Sequence, residues 1–249
     1  LAGTDAGRIK FDVGAGGDRT MEVDRAAEEI VFKELAALAG NREAFSVLSE
    51  EAGLRSFGAG YPLILVDPVD GSLNAKQGVP LFGLMLAVLD GPTIDHTIAG
   101  SVLNLNTGEE WTAIRKQGAW RGGAPLSVIP REDRRRFQIL GLESSPSSLK
   151  LALPLVEHAN KIRILGSMAI SIALTASGAF DVFCAPKRVR VFDMAASLLV
   201  LAEMGGVATD LQGNPVGLLQ ASLDTRTTVL CAPSEALHAE ALALIEKRG

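Results

Sequence analysis

Acidic residues stand against apolar runs at four separate places in this chain, and any fold it adopts must accommodate them. Asp67 and Asp70 flank Pro68-Val69 at the end of a strand-like run, and Glu50 and Glu51 follow another. Asp193 sits inside the otherwise apolar stretch 191–200, at a helix start, and Asp24 lies beside the apolar face of the first predicted helix. A buried charge needs a partner or it gives up its charge. For Asp193 a helix start is one such partner, since acids cap helices and complement the macrodipole. The pair Asp67 and Asp70 is harder to satisfy in that way. Pro68 fixes the backbone between them, and Gly71 permits an abrupt turn with its amide directed outward. Two carboxylates at ~4 Å repel by about 4 kcal/mol at an effective dielectric of about 20. They tolerate that spacing when a cation lies between them or when one is protonated.

The candidate ligands are all oxygen, with neither His nor Cys among them, which suits Mg²⁺ or Mn²⁺ rather than zinc. Mg²⁺ held by a few carboxylates keeps several waters and commonly serves phosphate chemistry. The adjoining Gly71-Ser72-Leu73-Asn74 offers backbone amides and a hydroxyl to a phosphate, especially if it opens a helix. Both halves of a metal–phosphate site therefore fall within residues 67–74.

The 249 residues allow one large domain or two intimate halves. Val23, Ala26, Ala27, Ile30, Leu35 and Leu38 recur at helical spacing and predict a helix over 22–39, stopped by Gly40. Short apolar runs at 45–48, 63–66, 81–89, 98–105 and 111–114, separated by turn residues, predict a largely antiparallel sheet. The charge-dense run 131–136 reads as a solvated connector. It divides the chain into an N-terminal α+β half, 1–133, with most of the metal ligands, and a C-terminal α/β half, 134–249, that completes the site. In that second half strands at 137–142, 161–165, 180–184 and 227–231 alternate with helices at 147–160, 167–177, 192–204 and 234–247, which argues α/β layering. The opening 11–19, rich in Gly and Asp, reads as a loop. Arg19 stands where GxGxxG needs its third glycine and no strand precedes it, which argues against a dinucleotide fingerprint.

Composition removes other classes. With 24 basic against 29 acidic residues the net charge is −5, and 9 Phe, 2 Trp and 1 Tyr make a poor stacking platform, so no nucleic acid partner is expected. Cys184 and Cys231 lie in apolar runs and read as buried free thiols. The longest uncharged stretch, 164–180, is too short to cross a bilayer and no secretory signal opens the chain. The expectation is a cytoplasmic protein without membrane partners. His96, His158 and His238 share no motif and are expected on the surface.

The string Asp67-Pro68-Val69-Asp70-Gly71-Ser72-Leu73-Asn74 resembles the DPxDGTxNF signature of the inositol monophosphatase family. Ser49-Glu50-Glu51 is similar to that family's GEE, and Phe192-Asp193-Met194-Ala195-Ala196-Ser197 with Glu203-Met204-Gly205-Gly206 to its WDxAAG…EAGG. Weaker echoes are Thr20-Met21-Glu22-Val23-Asp24 for TxxD, Gly118-Ala119-Trp120 with Gly123-Ala124-Pro125-Leu126 for a GAFxNGxPI hairpin, and Arg163-Ile164-Leu165-Gly166-Ser167-Met168-Ala169 for RxxGSAA. The motifs run in family order from Thr20 to Gly206.

This resemblance implies a sugar-phosphatase fold, a five-layered α-β-α-β-α sandwich of the α/β class. It implies hydrolysis of a phosphate monoester by a water activated on Mg²⁺, with Mn²⁺ as a substitute, lithium sensitivity and a homodimer. Glu50, Asp67 and the carbonyl of Val69 would hold a first metal. Asp67, Asp70 and Asp193 would hold a second, and Glu50 a looser third. Ser72, paired with Asp24, would orient the water, and the Gly71 and Ser72 amides would grip the phosphate, assisted by Gly166 and Ser167. Catalysis would proceed by charge neutralisation and nucleophile activation, without a covalent phosphoenzyme.

Ser49 and Ser72 depart from the family's Gly and Thr, and the family's long first helix is almost absent, as expected of a trimmed N-terminus. The cationic cluster Lys187, Arg188 and Arg190 resembles the archaeal branch, whose members hydrolyse both inositol 1-phosphate and fructose 1,6-bisphosphate. One of these cations is expected to meet a second phosphate, unless the cluster is simply a solvated turn. A phosphatase for NADP or 3′-phosphoadenosine 5′-phosphate fits the same motifs, as does a non-catalytic regulator that retains the fold. A haloacid-dehalogenase site is excluded, because its nucleophilic Asp would fall at Pro68. An EF-hand loop fails because Val69 occupies an oxygen-ligand position.

Overall fold

Residues 83–89 alternate buried and half-buried side chains, the pattern of a strand covered more fully on one face than on the other. In the computed structural model, which describes residues 1–17, 19–40, 44–129 and 135–247, they form an inner strand of the first of two packed sheets. The chain opens with a hairpin, β1 (Lys10–Val13) and β2 (Arg19–Met21), and the helix α1 (Glu22–Gly40). Then come β3 (Phe45–Ser49), β4 (Gly53–Asp70), the short helix α2 (Ser72–Gln77), β5 (Gly83–Leu89), β6 (Thr97–Asn104), β7 (Glu110–Ile114), β8 (Gly118–Arg121) and β9 (Ala124–Pro125). These seven strands pair in chain order. From β4 onward the pairing is antiparallel, as the crowded short runs predict. The long β4 meets β3 twice: Val47 is opposite Arg55 in the hairpin sense and opposite Ile64 where the two strands run parallel.

The second half supplies β10 (Phe137–Leu142), α3 (Leu153–His158), β11 (Ala159–Ile164), α4 (Met168–Ala176), β12 (Val182–Arg190), α5 (Ala195–Glu203), β13 (Val207–Thr209), β14 (Arg226–Ala232) and α6 (Glu235–Glu246). Its five-stranded sheet has the order β11-β10-β12-β14-β13, parallel on one side of β12 and antiparallel on the other.

Helices α4 and α5 lie between the two sheets, α1 and α2 cover the outside of the first, and α3 and α6 cover the outside of the second. The layers are therefore α-β-α-β-α, as expected. The middle pair is apolar all round because both its faces are covered. Its polar residues are satisfied within the helix: Ser171 Oγ donates to the Ser167 carbonyl at 2.6 Å and Thr175 Oγ1 to the Ser171 carbonyl at 2.8 Å. Helix α5 sits directly on β6 at Gly100, where a Cβ would stand 2.8 Å from the Ala196 Cα.

Several local expectations are corrected. The opening loop contains the β1–β2 hairpin, which shows no apolar alternation because β1 is exposed on both faces. The helix expected over 147–160 is a 3₁₀ turn followed by α3, because Pro154 starts a helix and cannot continue one. Strand β12 runs on to Arg190, past Pro186, because the ladder is irregular between Ala185 and Val189 and no donor is required there. His238 is buried rather than on the surface, with Nε2 and Thr209 Oγ1 2.9 Å apart. Cys184 and Cys231 are buried free thiols, on opposite faces of their sheet. The connector expected at 131–136 and the boundary after residue 133 lie largely outside the described residues. No helix among the described residues is long and apolar enough to cross a membrane.

Phe183 is fully buried between the second sheet and the central helices, whereas Leu38 on α1 is half exposed. Phe183→Ala is expected to lower unfolding free energy by about 3–5 kcal/mol and Leu38→Ala by no more than about 0.5 kcal/mol, measured by urea denaturation.

Candidate active site

The parallel half of the β3–β4 ladder brings the first two acids together. Ser49 is opposite Val66, so the next residues, Glu50 and Asp67, leave the sheet at the same edge, and the Glu50 amide donates to the Val66 carbonyl at 3.3 Å. Beyond Asp67 the chain turns: the Val69 amide donates to Asp67 Oδ1 at 3.1 Å across Pro68. The turn closes at Gly71, whose φ is +94° and where a Cβ would lie 2.8 Å from the Gly166 carbonyl. Asp70 is thereby set at the start of α4, accepting from the Ser167 hydroxyl, the Met168 amide at 3.0 Å and the Ala169 amide at 2.8 Å. Asn74 Nδ2 fastens the two turns, donating to the Leu81 and Leu165 carbonyls at 2.7 Å each. Asp193 arrives from the second half, on a buried 3₁₀ turn leading into α5.

These residues line a cavity of about 110 Å³ together with Asp24, Glu51, Val69, Gly71, Ser72, Arg19 and Arg190. One carboxylate oxygen from each of Glu50, Asp67 and Asp193 lies within 4.8 Å of the other two. Burial pushes the Asp193 carboxyl up to about 7, against the pull of Arg190 and with Glu50 adding to the rise. Burial, and then Glu50 and Asp193, raise Asp67 well above the carboxylate range. Burial takes Asp70 to about 6 despite its three donors, and Asp24 to about 6 despite the Met21 amide at 3.1 Å. Asp193 Oδ1 is buried with no hydrogen-bond partner. An all-oxygen donor set, crowded carboxyls and an orphaned carboxylate oxygen fit a hard divalent cation. A larger cleft of about 280 Å³ lies at the far end of α5, beside Arg115, Glu203 and Val216, and contains none of these acids.

The structure thus brings Asp24, Glu50, Asp67, Val69, Asp70, Gly71, Ser72, Arg190 and Asp193 to one cavity. Asp24 and Ser72 face it together but share no hydrogen bond. Four residues expected to touch substrate have protein partners. Ser167 is fully buried, donating to Asp70 and capping α4. Gly166 packs on Asn74. Lys187 pairs with Glu143 at 2.9 Å, and Arg188 reaches the Arg226 carbonyl at 2.8 Å. Nor do the three cations gather around one phosphate subsite: Arg190 is inside the acid pocket, bonded to Glu50 and Asp193.

Two supporting acids have roles that the sequence did not suggest. Glu28 accepts from the Ser49 hydroxyl and from the Ala52 amide at 3.0 Å, tying α1 to the strand that carries Glu50. It lies one helical turn after Asp24, and that spacing was the available signal. Glu51 accepts from the Thr20 hydroxyl and is pushed by burial to about 7.

Comparison with known proteins shows the family. The sequence profile of the inositol monophosphatase family matches residues 7–249. A fructose-1,6-bisphosphatase/inositol-1-monophosphatase of Methanothermobacter thermautotrophicus is 32% identical over 99% of this chain and 90% of its own. A protein of the same description from Archaeoglobus fulgidus is 30% identical over 96% and 89%. The solved structure of a Pyrococcus horikoshii protein with similarities to inositol-1 monophosphatase shares the fold, with a TM-score of 0.81 at 24% identity over 98% of this chain and 90% of that one.

The raised carboxyls give the metal-free protein a definite pH dependence. Asp24, Asp67, Asp70, Asp193 and Glu51 all titrate higher folded than unfolded, so the folded state holds more protons between pH 4 and 7. Their contribution is complete below the unfolded pKa of about 4 and is lost as pH rises through about 6 to 7. In EDTA the denaturation midpoint is expected to fall between pH 5 and pH 8, and saturating Mg²⁺ is expected to restore it at pH 8. A midpoint in EDTA that rises over that interval would contradict the assignment.

Proposed function

The chain belongs to the inositol monophosphatase family, and from that premise we propose that it hydrolyses a sugar or polyol phosphate monoester, inositol 1-phosphate, fructose 1,6-bisphosphate or both. The observation that carries this reading is the meeting of Glu50, Asp67, Asp70 and Asp193 around one cavity, with Asp193 Oδ1 buried and unpartnered. The names of the archaeal relatives, which join the two activities, support the same substrate pair.

In this reading Glu50, Asp67 and the Val69 carbonyl would hold one Mg²⁺, Asp67, Asp70 and Asp193 another and Glu50 a looser third, with Mn²⁺ as a substitute. When bound, the ions neutralise phosphate charge and make a water more acidic. The protein's own part is placement. Gly71 and Ser72 line the cavity, and their amides would donate to phosphate oxygens. The Ser72 hydroxyl and the Asp24 carboxylate orient the attacking water between them. Asp24, held at about 6, can take up a proton at one of its carboxylate oxygens near neutral pH. Residues 1–133 supply Asp24, Glu50, Asp67 and Asp70, and residues 134–249 supply Asp193. A homodimer and lithium sensitivity follow from the family resemblance.

Purified protein with Mg²⁺ is expected to release phosphate faster from inositol 1-phosphate or fructose 1,6-bisphosphate than from NADP or 3′-phosphoadenosine 5′-phosphate. Asp67→Asn is expected to lower kcat by about 10³-fold or more. Absence of release from every ester at every Mg²⁺ concentration would turn the reading toward a regulator that keeps the fold.

A further inference from the structure

Arg190 ends β12, three residues before Asp193, and its side chain is turned inward with 13% exposure. Its guanidinium donates to Glu50 Oε1 through Nη2, to Asp193 Oδ2 at 3.0 Å through Nε and to the Gly16 carbonyl at 3.3 Å through Nη1. Asp193 is thus divided: Oδ2 faces the guanidinium and Oδ1 is buried without a partner. Gly16 lies between β1 and β2, and a Cβ there would stand 2.5 Å from Arg190 Nη1. That segment is fixed over the site by the Gly16 amide on the Glu50 carbonyl at 2.7 Å and the Ala15 amide on the Glu51 carbonyl at 3.0 Å.

We propose that Arg190 is a counter-ion built into the metal pocket. It holds the side formed by Glu50 Oε1 and Asp193 Oδ2, leaves Asp67 and Asp193 Oδ1 to divalent ions, and so weakens the binding of any further ion that needs the two oxygens it holds. A guanidinium stays charged at every working pH and cannot ligate a metal. A divalent ion bridging the same two oxygens must therefore displace it, and one beside it is repelled twice as strongly as a monovalent ion would be. The side chain is a positioning residue: it fixes Glu50 and Asp193 before any ion arrives. This inference rests on the metal-dependent reading above.

The test is a Mn²⁺ titration of metal-free wild type, Arg190→Gln and Arg190→Lys at neutral pH, with free Mn²⁺ followed by electron paramagnetic resonance. Thermal midpoints are recorded in EDTA and in Mn²⁺. Wild type is expected to bind about two ions tightly and a third more weakly. Arg190→Gln is expected to tighten that weakest step about tenfold. In EDTA its midpoint falls below that of wild type, and Mn²⁺ raises it by more than it raises wild type. Arg190→Lys, which keeps the charge, is expected to keep the wild-type affinity at the weakest step. An Arg190→Gln isotherm equal to or weaker than wild type overturns the proposal. So does a wild-type isotherm in which three ions bind with equal affinity, a result that needs no variant to fold. Failure of wild type to bind Mn²⁺ at all would overturn the metal-dependent reading itself, whereas phosphate release with an unchanged Arg190→Gln isotherm removes the Arg190 inference alone.

Discussion

Repulsion among carboxylates governs this molecule. Asp24, Glu50, Asp67, Asp70 and Asp193 line one cavity of about 110 Å³, and any two carboxylates brought to ~4 Å oppose each other by about 4 kcal/mol at an effective dielectric of about 20. The fold answers in three ways. Asp70 accepts from the first amides of α4 and from Ser167. Glu50 and Asp193 share the Arg190 guanidinium. Asp67, which accepts from the Val69 amide, titrates far above its usual range. It is the acid that most requires either a proton or a metal ion.

The five layers serve that arrangement. Helices α4 and α5 are covered by a sheet on each side, and both begin at the cavity, one at Asp70 and the other just after Asp193. Two positive helix ends are thereby directed at the place where negative charge collects. Small residues make the approach close: Gly71 fits against Gly166, and Gly100 lets α5 rest on β6. Rigid central packing holds these helix ends in place, so the acids are positioned by the core rather than by surface loops.

The acids themselves were legible in the sequence because each sits in a short motif with its own local logic, such as Pro68 between Asp67 and Asp70 or Asp24 in the first turn of α1. The long periodic helices α1 and α6 were legible for the same reason. Other features left no such local mark. The β1–β2 hairpin lacks alternation because one of its strands buries no face, and β12 passes Pro186 through an irregular ladder. Ser167 resembled a phosphate contact in the family motif, but its hydroxyl is spent on Asp70, 97 residues earlier. Lys187, Arg188 and Arg190 formed one cluster in sequence and have three different partners in space.

By itself the sequence determined the alternating layers, the acid set and the chemistry of hard oxygen ligands, since these depend on residue type and short-range spacing. Tertiary structure alone decided which atoms meet. The parallel register of Ser49 on Val66 sets Glu50 beside Asp67, and the inward turn of Arg190 leaves one oxygen of Asp193 on a guanidinium and the other buried without a hydrogen-bond partner. Partner choice among charges is a property of distance and burial, and both arise only when remote segments pack against one another.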